Sequence, residues 1–92
     1  MINNITLEQV IEGFKSLFED AKIQMGVEAE INEETRPLVF FKSDVLVTLV
    51  GRLEDLLDIK IPENCYPFFD KDKLEQLTIK EASVIILNKS TK

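Results

Sequence analysis

The sequence contains no histidine and no tryptophan. Without histidine it lacks the commonest general base and the commonest metal ligand near neutral pH. A lone cysteine, Cys65, has no second thiol to pair with in the chain, which fits a reducing compartment. With no histidine to activate it, Cys65 reads as a small buried thiol rather than a nucleophile. Also missing are a Cys-x-x-Cys pair, a His-Glu-x-x-His helix, a Ser/His/Asp set and a glycine-rich phosphate loop. Carboxylates are plentiful, but no spacing gathers two of them in a pocket, so a chain that catalyses on its own is not expected. No apolar run approaches the ~20 residues that span a membrane, so no membrane insertion is expected. Met1 to Thr6 lacks the basic start and apolar run of a secretory leader. Positive charge is short as well. Eleven basic residues against 17 acidic ones leave a net charge of −6, and no Lys/Arg stripe offsets it, which argues against nucleic acid as a ligand. The expected setting is the cytoplasm, with basic protein surfaces as the natural partners.

What is present is enough for one domain, residues 1–92. Its apolar fraction of 45% allows a modest core without disulfide or metal. Thr6-Leu7-Glu8-Gln9 has the form of a capping box. Leu7, Val10, Ile11, Phe14, Leu17, Phe18 and Ala21 then recur at helical spacing, which predicts a helix near 7–24 stopped by Gly26. Phe14 and Phe18 belong to its core face. On the polar face Lys15 can pair with Glu12 or Glu19. From Val27 to Phe41 the pattern is irregular and reads as a loop. Glu28, Glu30, Glu33 and Glu34 give it a solvated acidic face, Pro37 interrupts any helix, and Leu38, Phe40 and Phe41 pin it to the core.

The stretch from Lys42 to Pro62 organises the rest. Ser43 can cap a helix near 44–57 whose apolar face is Leu46, Leu49, Val50, Leu53, Leu56 and Leu57. Leu53 sits at the centre of that face. Val45 to Thr48 would suit a strand by propensity, but the following leucine spacing decides for helix. Gly51 inside it costs about 1 kcal/mol against alanine. It marks either a close approach by another element or a partner, or a tolerated surface glycine. Beyond Pro62, Tyr66, Phe68 and Phe69 are too apolar for a free loop and should cover one end of the molecule. A short helix is expected near 71–77, with Leu74 and Leu77 inward. Thr78-Ile79-Lys80-Glu81 is a second capping box. It opens a helix near 79–88 that carries Ile79, Ala82, Ile85 and Ile86 on one face, with Val84 and Leu87 outside that stripe, and Asn88 to Lys92 should fray. The expected fold is all-α, a bundle of three longer helices and one short one.

Leu53-Glu54-Asp55-Leu56-Leu57-Asp58-Ile59-Lys60-Ile61-Pro62 resembles the end of the second helix of acyl carrier proteins, which typically reads L-E-x-x-F-x-I-x-I-P. Thr78-Ile79-Lys80-Glu81-Ala82 is similar to the family's T-V-x-D-A start of the last helix. Ile31 and Thr35 look like its I-x-x-x-T loop landmark. Laid together at Ile61-Pro62, the two place Ser43 on the family's phosphopantetheine serine. The family's Asp-Ser-Leu is here Lys42-Ser43-Asp44, which makes this a divergent member by resemblance. The resemblance implies a four-helix carrier fold and a 4′-phosphopantetheine arm on Ser43 that presents an acyl or amino-acyl thioester. It implies as partners a phosphopantetheinyl transferase and the acyl-transferring or synthase enzymes of fatty acid or polyketide biosynthesis. Asp44, Glu54, Asp55 and Asp58 would meet those partners, and the chain would act as a monomer. The other reading is a carrier-like interaction module that never bears the arm and binds a protein partner through its acidic and apolar surface. On that reading Ser43 is only a helix cap.

Overall fold

The computed structural model describes residues 5–63 and 65–90. Its elements, in order, are α1 (Leu7–Met25), α2 (Pro37–Phe40), α3 (Ser43–Leu57), the strands β1 (Phe69–Asp70) and β2 (Glu75–Gln76), and α4 (Ile79–Lys89). The domain is mostly helical, with α1 packed against both α3 and α4. None of the described helices is long and apolar enough to cross a membrane.

α1 begins at the capping box that the sequence announces. The Gln9 backbone N–H donates to Thr6 Oγ1 at 3.1 Å, and the Thr6 N–H donates to Gln9 Oε1 at 2.8 Å. It ends at Gly26, whose φ of 68° lets the Val27 N–H turn back to the Lys22 carbonyl at 2.9 Å. Lys15 pairs with Glu12 at 3.3 Å, whereas Glu19 pairs with Lys22 at 3.2 Å. Val10, Phe14, Phe18 and Ala21 face inward and meet Leu46, Leu49 and Leu53 of α3 and Ile79, Ala82 and Ile86 of α4 in one core. Phe68 completes it, edge-on to Phe14 at 5.6 Å and to Phe18 at 6.0 Å. The glycine at a close helix approach is Gly13: a Cβ there would fall 2.9 Å from Leu53 Cδ1. Gly51 has nothing within 4 Å of its would-be Cβ, so no other described element of the chain approaches it closely.

The 27–36 loop is exposed at Glu28, Glu30, Glu33 and Glu34, as expected, but it is not slack. Thr35 is buried; its hydroxyl donates to the Glu30 carbonyl and accepts from the Asn32 N–H, both at 3.0 Å. The carbonyls of Thr35 and Glu33 then accept the N–H groups of Ile79 and Lys80, each at 2.9 Å. Those donors are among the first of α4 and have no partner within the helix. The second capping box supplies the rest: Glu81 N–H to Thr78 Oγ1 at 3.1 Å and Thr78 N–H to Glu81 Oε1 at 2.9 Å.

Several expectations need correction. Pro37 does not interrupt a helix; it begins the short α2, because at the first helical position its fixed φ is suited and its missing N–H is not needed. Phe41 is buried against Phe18 at 5.4 Å, but Phe40 is 38% exposed and is not among the residues packed on the core. Leu56, placed on the core face of α3, is 55% exposed at the edge of the α1 contact. The short helix near 71–77 is instead a hairpin, with Phe69 opposite Gln76 and Asp70 opposite Glu75. Asp70 Oδ1 accepts the N–H groups of Asp72 and Lys73, at 2.9 and 3.1 Å, as at a helix start. The chain then reverses at Leu74 (φ 55°), and the Leu77 N–H reaches back to the Phe68 carbonyl at 2.9 Å. Leu77 is buried, but Leu74, at 77% exposure, is not inward. α4 runs through Lys89, with the Ser90 N–H bonded to the Ile86 carbonyl at 2.8 Å, so helical geometry continues past Asn88. The fraying expected at Thr91 and Lys92 lies outside the described residues.

Candidate functional site

Ser43 is the first residue inside α3 rather than its cap. Lys42, extended at φ −75° and ψ 157°, holds the cap position and makes no side-chain cap bond. The helix therefore starts one residue earlier than the capping reading requires, and the Ser43 hydroxyl is not tied to the first-turn backbone. It is exposed and meets another element: Tyr66 Oη donates to Ser43 Oγ at 3.2 Å, across 23 residues of sequence. The Tyr66 ring is held by its edge-on contact with Phe68, at 5.6 Å and 77°. Phe68 is fully buried, so the phenol stands on the core itself.

A cleft of about 430 Å³ opens beside this pair. α3 contributes Val47, Val50, Gly51 and Glu54, and the segment after the helix contributes Ile61, Pro62, Glu63, Cys65 and Tyr66. Ser43, Val47, Val50, Gly51 and Glu54 fall at i, i+4, i+7, i+8 and i+11, which is one stripe along a helix. Ser43 is thus at the head of the stripe that floors the cleft, and the stripe is about 16 Å long. The lack of a side chain at Gly51 leaves the floor open. Burial raises the pKa of the Cys65 thiol, partly offset by the nearby charge of Lys89, so the thiol is held neutral at the cleft wall.

The structure divides the acidic residues picked out from the sequence. Asp44 is exposed beside Ser43, in the first turn of α3, where the helix dipole favours a carboxylate. Its Oδ1 accepts the Val45 N–H at 2.9 Å. Glu54, Asp55 and Asp58 gather at the other end of α3, around a shallow depression shared with Ile59 and Lys60. Glu54 is also a structural pin. Its Oε2 accepts the Ile61 N–H at 2.7 Å, and its carbonyl accepts the Ile59 N–H at 3.1 Å. Asp58, at φ 53°, turns the chain out of the helix, a conformation that aspartate tolerates better than most residues. These contacts bury Ile59 and Ile61 while Lys60 between them stays exposed.

The sequence reading named Ser43 but not the cleft or the Tyr66 contact. Of the floor, the leucine spacing picked out only Val50, and as part of the core face. The contact was not legible, because it joins segments far apart in the chain. Taken together, the site offers an exposed primary hydroxyl, bonded to Tyr66, beside an open, largely apolar cleft, with Lys42 and Asp44 as its flanking charges. Comparison with protein-family models, with curated proteins and with solved structures finds no match.

Proposed function

We propose that this chain is an acyl carrier protein-like domain that bears a 4′-phosphopantetheine arm on Ser43. The observation that carries the reading is the Ser43 hydroxyl, exposed in the first turn of a 15-residue helix and heading the stripe that floors an apolar cleft. That setting fits the arm chemically. First-turn N–H groups and the positive end of the helix dipole favour a phosphodiester, and the cleft offers apolar surface to the remainder of the arm. The other described serines lack this setting: Ser16 is within α1, Ser83 is buried with its hydroxyl given to the Ile79 carbonyl at 2.7 Å, and Ser90 comes after the last helix. The three longer helices are those that the carrier reading expects, while the short helix expected near 71–77 is replaced by the β1–β2 hairpin.

In this reading Ser43 Oγ accepts the phosphoryl end of the arm from coenzyme A. An O–P bond forms as the donor's pyrophosphate bond breaks and its nucleotide leaves, the hydroxyl proton passing to a base of the transferase. When bound, the arm supplies a thiol that holds an acyl or amino-acyl group as a thioester. The chain itself is no enzyme; it acts in the cytoplasm as a monomer. Asp55 and Asp58, exposed past the cleft, are free to meet basic patches of acyl-transferring or synthase enzymes, while Glu54 is largely committed to the fold.

Intact-protein mass spectrometry tests this after incubation with coenzyme A and a broad-specificity phosphopantetheinyl transferase. Wild type should gain one arm and Ser43→Ala none. If wild type is refused, Lys42→Asp with Asp44→Leu should restore loading when only transferase recognition was lost. Refusal of that variant too overturns the carrier function in favour of an armless interaction module.

A further inference from the structure

We propose that Tyr66 is the positioning residue for the arm, steering a group attached at Ser43 down the cleft instead of out into solvent. The inference rests on the carrier reading of Ser43 and concerns a residue that the reading itself does not require. Tyr66 lines the cleft and also touches the serine that heads it, so its phenol stands where an attached group must choose between cleft and water. The ring has little freedom to move aside, because it packs on Phe68, which is locked between Phe14 and Phe18. In the bare chain Tyr66 Oη–H donates to Ser43 Oγ at 3.2 Å. Once Ser43 carries a phosphodiester, the donor remains and the acceptors beside it include charged phosphate oxygens. A hydrogen bond to a charged oxygen is shorter and stronger than one to a neutral hydroxyl. Asp44, the nearest flanking acid, offers no competing donor. Lys42 offers one on a flexible exposed stem with no fixed direction. The first-turn N–H groups of α3 favour the phosphate at the helix end, whereas the phenol is a donor that both meets Ser43 and lines the cleft, so the direction along the cleft falls to it.

The test uses the full chain loaded with the arm, comparing wild type with Tyr66→Phe, which keeps the ring and its contact with Phe68 and removes one hydroxyl. The readouts are the phosphodiester ³¹P resonance and the methyl resonances of Val47 and Val50 on loading. Loss of a hydrogen bond to a charged acceptor should lower the ratio of cleft-held to solvent-held arm by about tenfold. The variant's ³¹P resonance should then move toward that of a free phosphodiester, and Val47 and Val50 should return toward their unloaded positions, with an unchanged melting temperature. An arm whose ³¹P and methyl signals are the same in both proteins overturns the role of Tyr66 and leaves the carrier reading standing. A wild type that takes no arm on Ser43 overturns the carrier reading, and this role with it.

Discussion

Gly13 and Gly51 occupy comparable places in two helices but opposite surroundings. A Cβ at Gly51 meets nothing within 4 Å, so Gly51→Ala should raise stability by about 0.5–1 kcal/mol through lower unfolded-state entropy. At Gly13 the added atoms press on Leu53, which is fully buried, and Gly13→Val should cost about 1–3 kcal/mol. Denaturant midpoints that move in the same direction for both would contradict this packing. Leu53 itself has no exposed surface and is held between α1 and the rest of α3. Leu53→Ala should cost about 2–5 kcal/mol, a large share of what so small a domain possesses. An unchanged thermal transition would mean that the α1–α3 face is assigned wrongly. The position of Leu53 was legible from its spacing. The position of the tight glycine was not, since periodicity names a face but not how near the neighbouring helix comes.

At the scale of elements, α1 and α4 were legible from two agreeing signals each, and α3 from its leucine spacing against a strand-like start. α1 and α4 each have a capping box and an apolar stripe, and both boxes are formed. The start of α4 relies on more than its box, because Thr35 and Glu33 carbonyls take two further N–H groups. Thr78→Ala should therefore lower stability by about 1 kcal/mol without melting the helix from the domain. Loss of most helical circular-dichroism signal would show that the box alone holds α4. The 70–77 segment misled because Leu74 and Leu77 have helical spacing and Asp70 makes a helix-like first turn. The left-handed Leu74 turns that start into a hairpin. Leu74 has no packing to offset its conformation, being 77% exposed. Relief of the left-handed penalty in Leu74→Gly exceeds glycine's entropic cost and should stabilise the domain by about 0.5–1 kcal/mol. A lower melting temperature would argue against the hairpin. α2 went unread because a proline marks a helix interior and a helix start with the same letter, and only the backbone tells which.

For the whole molecule, the three longer helices and Phe68 form a core led by Phe14, Phe18 and Phe68, with a cleft lined by α3 and Tyr66 beside it and Ser43 one helical turn before Val47, bonded to Tyr66. The net charge of −6 suits a protein that visits basic surfaces. On the proposed carrier function, the Lys42 and Asp44 flanks would set which transferase can dock at Ser43. The central claim is that Ser43 carries the arm, and cleavage after Lys42 and Arg52 isolates that serine in one peptide, Ser43–Arg52, with no other serine in it. The most direct measurement is fragmentation mass spectrometry of this peptide from chain co-expressed with a phosphopantetheinyl transferase. A single phosphopantetheine on Ser43, lost from the peptide on fragmentation, is the expected result. A bare Ser43–Arg52 peptide from wild type and from the Lys42→Asp, Asp44→Leu variant, the latter read as the peptide starting at its own first cleavage site, would contradict it.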